Sequence, residues 1–252
     1  MKTRQKHREA LTFGLGLLLI AALIQFLGSV KNDRLVFPDV REILQTFFRL
    51  LGEGKTYLLI GTTMGHLAQA LGVSLAAGVL LGAAEGLSAF VRGLLKPAMI
   101  LLRAMPMIVL VVLIMVLTRY ERVPVIATSL MLTPMISEAV SEGIQRMDPM
   151  YQDVYRLNSS FNATVLFRVY VPLTAGYLRQ AFVSAAGMGL KAVVSTEYLV
   201  QTRDSLGKAV SSSGYFNEYA EIYAYALIMV LLVLGVTELL PAAFKWFRLT
   251  RT

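Results

Sequence analysis

The sequence from Ser141 to Pro172 reads SEGIQRMDPMYQDVYRLNSSFNATVLFRVYVP and separates two apolar segments. Asp148 and Pro149 form a typical helix start, because the carboxylate accepts hydrogen bonds from free backbone N–H groups and proline is tolerated at the first helical position. The Asn-Ser-Ser triplet at 158–160 favours a break, and its last serine can cap a second helix. That helix ends before Pro172, because a proline disfavours helical backbone in the residue preceding it. The stretch therefore predicts two short helices in a loop held between membrane spans.

This loop resembles one found in the inner-membrane permeases of ABC importers. The family's loop reads E-A-A, three residues, Gly, nine residues and then I-x-L-P, and the spacing is kept here with different residues at most positions. Asp153-Val154-Tyr155 takes the place of E-A-A, Ser159 takes that of the glycine, and residues 169–172 take that of I-x-L-P. The resemblance extends from about Thr62 to Leu240.

The preceding run, Gly143 to Pro149, resembles the G-x-x-x-V-D-P segment of one branch of the family. Members of that branch import sulphonates, taurine, nitrate or thiamine-precursor pyrimidines. The resemblance implies an all-α integral membrane protein with six transmembrane helices and the architecture of a type I ABC importer permease. It also implies that the loop is a coupling helix that docks on a separate ATPase subunit. The residues implied in this docking are Asp148, Asp153, Val154, Tyr155, Arg156, Asn158, Ser159 and Ser160.

The composition is that of a polytopic membrane protein. Of the 252 residues, 56% are apolar and only 16% are charged, whereas soluble domains have about a quarter charged residues. The absence of cysteine excludes disulfides and thiolate metal sites. A net charge of +8 could indicate nucleic-acid binding, but the basic residues flank apolar segments and favour contact with anionic lipid. We expect a single membrane domain over 1–252, with no nucleic acid, metal or cofactor.

Charge-poor segments long enough for a bilayer predict the topology. The six predicted spans are 10–30, 56–84, 97–118, 123–140, 181–200 and 220–244, and 141–172 is the coupling loop. A cleaved signal peptide is the alternative for the first span. With both termini in the cytoplasm, the cytoplasmic segments hold 14 of the 24 basic residues, as the positive-inside rule favours. The sequence therefore predicts a multi-pass protein of a bacterial inner membrane, with the coupling loop in the cytoplasm.

Between these spans we expect a helix over 40–51, an inner connection over 85–96 and an outer loop over 201–219. Glycines recur every four residues in the second span and just after it, at 61 and 65 and again at 78, 82 and 86. Such spacing is typical of close helix packing in lipid. His66 could face a pathway, but we interpret it as a packing residue with its polar groups satisfied.

Candidate pathway residues occur in the third and fourth spans. The family has a proline where the chain bends near its pathway, so the resemblance implies roles for Met105 and Pro106. Arg103 could extend its side chain to the inner interface. Glu138 and Glu142 share one helix face and could gate the inner opening or pair with cations, or could simply form a polar helix end.

The fifth predicted span is the least apolar. A charge at mid-membrane costs about 2.5–3.5 kcal/mol on insertion scales, so Lys191 and Glu197 each need a partner or water. Six residues correspond to about 240° around a helix, so the two do not pair within it. The family branch also has a basic residue and a glutamate in this span. We predict that Lys191, Ser195, Thr196 and Glu197 contribute to the pathway.

The resemblance implies alternating access driven from outside the chain, which is therefore not itself an enzyme. Two ATPase subunits would hydrolyse ATP, a second permease copy would complete a homodimer, and an extracytoplasmic binding protein would deliver a small, anionic sulphur- or nitrogen-containing solute. An ion-coupled secondary transporter and an intramembrane enzyme are the alternatives. For the enzyme, neither a G-x-S-x-G nor an H-E-x-x-H motif occurs.

Overall fold

The protein is all-α in the part of the chain that the structure describes. This computed structural model describes residues 38–147 and 171–249, together with Gly16. The predicted span at 10–30, residues 148–170 of the coupling loop and the outermost residues of both termini lie outside the described residues. The helices are α1 (Val40–Gly52), α2 (Gly54–Leu87), α3 (Ala89–Ala104), α4 (Met107–Leu117), α5 (Val123–Gln145), α6 (Val171–Val200), α7 (Leu206–Tyr215) and α8 (Tyr219–Leu249).

Three helical segments are long and apolar enough to cross a membrane: Gly54–Leu87, Tyr120–Gln145 and Tyr219–Glu238. Helices α3 and α4 pass the same test together but are bent by 107° at the break between them. The described residues thus provide three spans, or four if the bent pair counts as one. Helix α6, which contains the predicted fifth span, is not among them.

The elbow between α3 and α4 differs from the single kinked span predicted over 97–118. Met105 has an extended backbone, with φ −69° and ψ 125°, because the proline ring that follows disfavours helical geometry. Pro106, with φ −58°, directly precedes the first residue of α4, and its ring holds that angle. The chain therefore turns by 107° where the sequence predicts a bend within one helix.

Two predicted connections are largely helical. Helix α2 continues to Leu87 and α3 begins at Ala89, so the expected inner connection over 85–96 contains one non-helical residue, Ser88. The Ser88 hydroxyl accepts a hydrogen bond from the backbone N–H of Val91 at 3.4 Å and caps α3. Similarly, α7 occupies the middle of the expected outer loop over 201–219. The helix predicted over 40–51 is confirmed by α1.

The chain divides into two compact units, one of Met1–Leu58 with Ala209–Val230 and the other of Leu59–Lys208 with Leu231–Thr252. In the first unit, Arg49 of α1 forms an ion pair with Glu221 of α8 at 2.6 Å. In the second unit, helices α2, α5 and α6 form the apolar core. Its buried residues are Leu67, Leu71, Leu132, Ile136, Ala185, Ala186, Leu190 and Val193.

Three glycines bring α2 into direct contact with α5. A Cβ at Gly78 would lie 2.7 Å from Ile136 Cβ, a Cβ at Gly82 would clash with the carbonyl oxygen of Ser137, and a Cβ at Gly86 would lie 2.9 Å from Ile144 Cβ. The prediction of close packing is confirmed for this series.

The first glycine pair of α2 behaves differently. A Cβ at Gly61 or Gly65 would meet nothing within 4 Å in the described part of the chain. Equal spacing therefore marks a close contact between helices in one half of α2 and an open face in the other.

Candidate functional site

Glu197 is a fully buried carboxylate near the end of α6, with 0% of its surface exposed. The helix ends three residues later, where Gln201 takes a left-handed backbone with φ 59°. The N–H of Thr202 then donates to the carbonyl oxygen of Glu197 at 3.2 Å, as in a Schellman cap. This cap turns the chain back so that the next helix, α7, begins beside the Glu197 side chain.

Three groups from α2 and α7 bind this buried carboxylate, and a fourth binds one of them. His66 Nδ1 lies 2.7 Å from Oε1. The Thr63 hydroxyl donates to Oε2 at 2.8 Å, and the N–H of Gly207 donates to the same oxygen at 3.3 Å. The N–H of Leu206 in turn donates to the Thr63 hydroxyl at 3.0 Å. Glu197 therefore joins three helices through hydrogen bonds inside the second unit. We refer to Thr63, His66, Glu197, Leu206 and Gly207 as the Glu197 cluster.

The electrostatics of this cluster follow from the helix ends. A carboxylate near the C-terminus of its own helix faces the negative end of that helix dipole. The first N–H groups of α7 carry partial positive charge, and two of them, from Leu206 and Gly207, reach the cluster. The partial positive charge at the start of α7 thus offsets the repulsion between the Glu197 carboxylate and the negative end of the α6 dipole. The arrangement holds the three helices in fixed register and presents no nucleophile to a substrate.

No described element covers the opposite face of α6. Lys191 and Ser195 are exposed, as are Met188, Tyr198 and Leu199, whose surfaces are 46%, 45% and 39% accessible. These five residues recur at helical spacing and form one stripe. We call them the open face of α6. Of the residues predicted to contribute to a pathway, the structure thus places Lys191 and Ser195 on the open face.

Thr196 and Glu197 lie on the buried face of the same helix. The Thr196 hydroxyl donates to the carbonyl oxygen of Ala192 at 2.8 Å, which is a local bond within α6. The sequence separates Lys191 from Glu197 around the helix but cannot show that His66, 131 residues away in the chain, is the partner of Glu197. The isolated histidine in an apolar span is the one signal that could have pointed to it.

Arg103 connects the third predicted span to Glu138 in the fourth. Its guanidinium forms an ion pair with Glu138 at 2.7 Å and donates to the carbonyl oxygen of Pro134 at 2.9 Å. Met105 is half-buried and Pro106 is exposed at the elbow. The end of α3 is therefore tied to α5 beside the elbow, and Arg103 has an acidic partner on another helix. Glu142 pairs at 2.5 Å with Arg146, the residue that follows the end of α5.

A second buried carboxylate was not identified from the sequence. Glu85 is only 7% exposed, and its Oε2 accepts a hydrogen bond from the Ser137 hydroxyl at 3.2 Å. Its Oε1 has no hydrogen-bond partner among the described residues. Glu85 falls in the predicted inner connection, where a charged side chain gives no signal of burial.

The remaining site predictions concern the coupling loop. All eight predicted docking residues, from Asp148 to Ser160, lie outside the described residues. Among the residues that are described, no group of three or more histidine, aspartate or glutamate side chains could hold a metal ion.

Comparisons with known proteins agree with this architecture. A family model described as "Binding-protein-dependent transport system inner membrane component" matches residues 74–248. No curated protein matches the sequence. Among solved structures, the chain is similar to a chain of the MetNI methionine ABC transporter in inward-facing conformations. The TM-score is 0.63 at 16% sequence identity, and the alignment covers 77% of this chain and 97% of that chain. At this identity the likeness shows a shared fold, that of a type I ABC importer permease.

Proposed function

Because this chain belongs to the family of binding-protein-dependent transport system inner membrane components, we propose that it is the permease subunit of an ATP-driven ABC importer. The match over residues 74–248 carries the proposal. It includes α5, the coupling loop and α6, which are the elements that such a subunit needs to receive movement from outside the membrane. The fold shared with a chain of an ABC transporter supports the same function.

In this proposal the chain forms the pathway and does no chemistry. Two ATP-binding cassette subunits bind the loop over 141–172 and hydrolyse ATP in the cytoplasm. A second copy of the chain completes a homodimer, and an extracytoplasmic binding protein delivers the solute. The protein lies in the inner membrane of a bacterium with both termini in the cytoplasm. The family branch that the sequence resembles supports a small, anionic solute that contains sulphur or nitrogen.

The proposal is tested by purifying the tagged chain from native membranes in mild detergent and measuring the mass of the intact complex. We expect two copies of the chain with two ATPase subunits, and vanadate-sensitive ATP hydrolysis. In proteoliposomes that contain the binding protein encoded beside the gene, uptake of radiolabelled taurine, used as a sulphonate probe, should require ATP and persist with a protonophore. Uptake by the chain alone, driven by an ion gradient, would identify a secondary transporter instead.

The coupling loop is tested by Asp153→Arg and Tyr155→Asp. Each variant should separate ATP hydrolysis from uptake while membrane insertion stays normal, because the loop is proposed to dock on the ATPase. The matched control is Glu121→Arg, an exposed carboxylate of the turn before α5, which should leave coupling unchanged. Coupled transport in both loop variants would contradict the docking role.

A further inference from the structure

The open face of α6 carries an ammonium group with no acidic partner in the part of the chain that the structure describes. Lys191 is exposed, and none of the ion pairs between described residues involves it. The nearest acid along the helix, Glu197, points to the other side, and its oxygens are taken by His66, Thr63 and Gly207. The face therefore has a net charge of about +1 per chain.

Such a face is poorly suited to lipid. A charged side chain inside a predicted span is costly in hydrocarbon and is found facing water, a cavity or a partner. Two of its four neighbours on the stripe also suit water: the Ser195 hydroxyl lies one turn beyond Lys191, and Tyr198 follows one turn later with its phenol group. The other two, Met188 and Leu199, are apolar. By contrast, the exposed positions of α2 include Val73 and Leu80, 53% and 72% accessible, which are suited to lipid.

We propose that the open face of α6 is a water-exposed wall of the translocation pathway, and that Lys191 is the residue that makes this pathway selective for negatively charged solutes. The inference rests on the proposed function, since it needs a pathway. In a homodimer each chain contributes one Lys191, so the pathway carries two ammonium groups. Thr196 and Glu197 are then structural residues behind the wall, and the charge of Glu197 does not cancel that of Lys191.

The absence of cysteine from the sequence permits a direct test with single cysteines in the purified complex. Ser195→Cys is reacted with two methanethiosulfonate reagents of similar size, the anionic ethylsulfonate and the cationic ethyltrimethylammonium. Lys191 should make the anionic reagent react faster. Lys191→Gln in the same background should lower the ratio of anionic to cationic rates by about tenfold, as expected for one charge near 4–6 Å in water acting oppositely on the two reagents.

Two cysteine controls bracket this measurement. Thr196→Cys, the next residue on the buried face, should be unreactive with both reagents. Leu80→Cys, on the exposed face of α2, should react with membrane-permeant maleimides and hardly at all with the charged reagents. Each variant is measured both without nucleotide and after trapping with vanadate, so that closure of the pathway in one state does not hide the site.

The outcomes separate the inference from the proposed function. If Ser195→Cys behaves like Leu80→Cys in both states, the open face lies in lipid and the inference is wrong. If Ser195→Cys reacts but the rate ratio is unchanged by Lys191→Gln, the face is wet and Lys191 does not set its charge preference. Neither result depends on uptake. Absence of ATP-dependent uptake by the unmodified complex would overturn the proposed function, and with it the premise of the inference, whatever the cysteine rates are.

Discussion

The two faces of α6 place a charged side chain in opposite environments. Glu197 is fully buried and has a hydrogen-bonding partner for each oxygen, while Lys191, six residues earlier, is exposed on the open face. One helix thus carries a buried charge, on Glu197, that joins neighbouring helices, and an exposed charge, on Lys191, that can interact with a solute. A charged residue in a span therefore indicates function only after its partners are known.

The strongest test of this contrast is Glu197→Ala. The change leaves His66, Thr63 and the start of α7 without their shared acceptor. Removing one partner of a buried pair typically costs about 3–5 kcal/mol of unfolding free energy. The expected result is a large loss of stability in mixed detergent micelles, measured by reversible unfolding.

The matched control is Lys191→Gln on the open face, which should leave the free energy of unfolding nearly unchanged. If both variants lost the same stability, Lys191 would also have a structural partner and the contrast between the faces would disappear.

The next largest effect is expected at Gly207, where α7 starts against α6. A Cβ at this position would lie 2.5 Å from Val194 O and from Tyr198 N, and neither backbone atom can move easily. Gly207→Ala should push α7 away and break the hydrogen bond to Glu197, at about 1–3 kcal/mol for overpacking. The melting temperature in detergent reports the loss.

A glycine in the same helix provides the control. A Cβ at Gly214 would meet only the side-chain end of Ile222, at 3.8 Å. Gly214→Ala should be neutral or slightly stabilising, because alanine favours a helix over glycine. A destabilisation equal to that of Gly207→Ala would mean that the loss at Gly207 reflects glycine removal in general.

A smaller effect is expected from Thr63→Val, which keeps the shape of the side chain but removes its hydroxyl. Glu197 loses one donor and the N–H of Leu206 loses its acceptor, which should cost about 0.5–1.5 kcal/mol. Thr62→Val, one residue earlier and half-buried, is the control and should cost less.

A double-mutant cycle sharpens this prediction. Thr63→Val should cost clearly less in a Glu197→Gln background than in the wild-type chain, because the two residues share one interaction. Simple additivity of the two losses would show that Thr63 does not stabilise the fold through Glu197.

The smallest effect, of opposite sign, is expected at an exposed carboxylate. The negative charge of Glu221 and the hydrogen bond between the two carboxyl groups raise the pKa of Glu218 above 4.5. A raised folded-state pKa gives a contribution to stability that is present below pH 4.5 and is lost as pH rises through the raised value. Glu218→Gln should therefore raise the melting temperature slightly at pH 7 and not at pH 4. A lower melting temperature of this variant at pH 7 would show that the Glu218 carboxylate stabilises the fold, as that of Glu197 does.

The sequence predicts the helices and some of their contacts because both depend on local pattern. The spacing of Gly78, Gly82 and Gly86 was enough to predict close packing, and the angle between Lys191 and Glu197 was enough to place them on different faces. Periodicity does not show which face meets which helix, so the sequence does not distinguish Gly61 and Gly65 from the later series, although a Cβ at either would meet no described residue within 4 Å.

Other features depend on tertiary structure. The pairing of His66 with Glu197 joins positions 131 residues apart, and no spacing rule connects them. The elbow at Met105 and Pro106 was predicted as a kink, because proline indicates a bend but not its size. Helices α3 and α4 meet at 107°, beside the bonds from Arg103 to Glu138 and to the carbonyl oxygen of Pro134. Neither the angle nor these bonds can be predicted from the sequence.

The contact at Gly78, Gly82 and Gly86 has a mechanical consequence. At these three positions the backbone of α2 packs directly against α5, so little room is left there for one helix to slide past the other. We expect the two helices to move together as a rigid body over these turns. Helix α5 continues past Ser141 to Gln145, at the start of the predicted coupling loop, so we expect a displacement of that end to be transmitted to this half of α2.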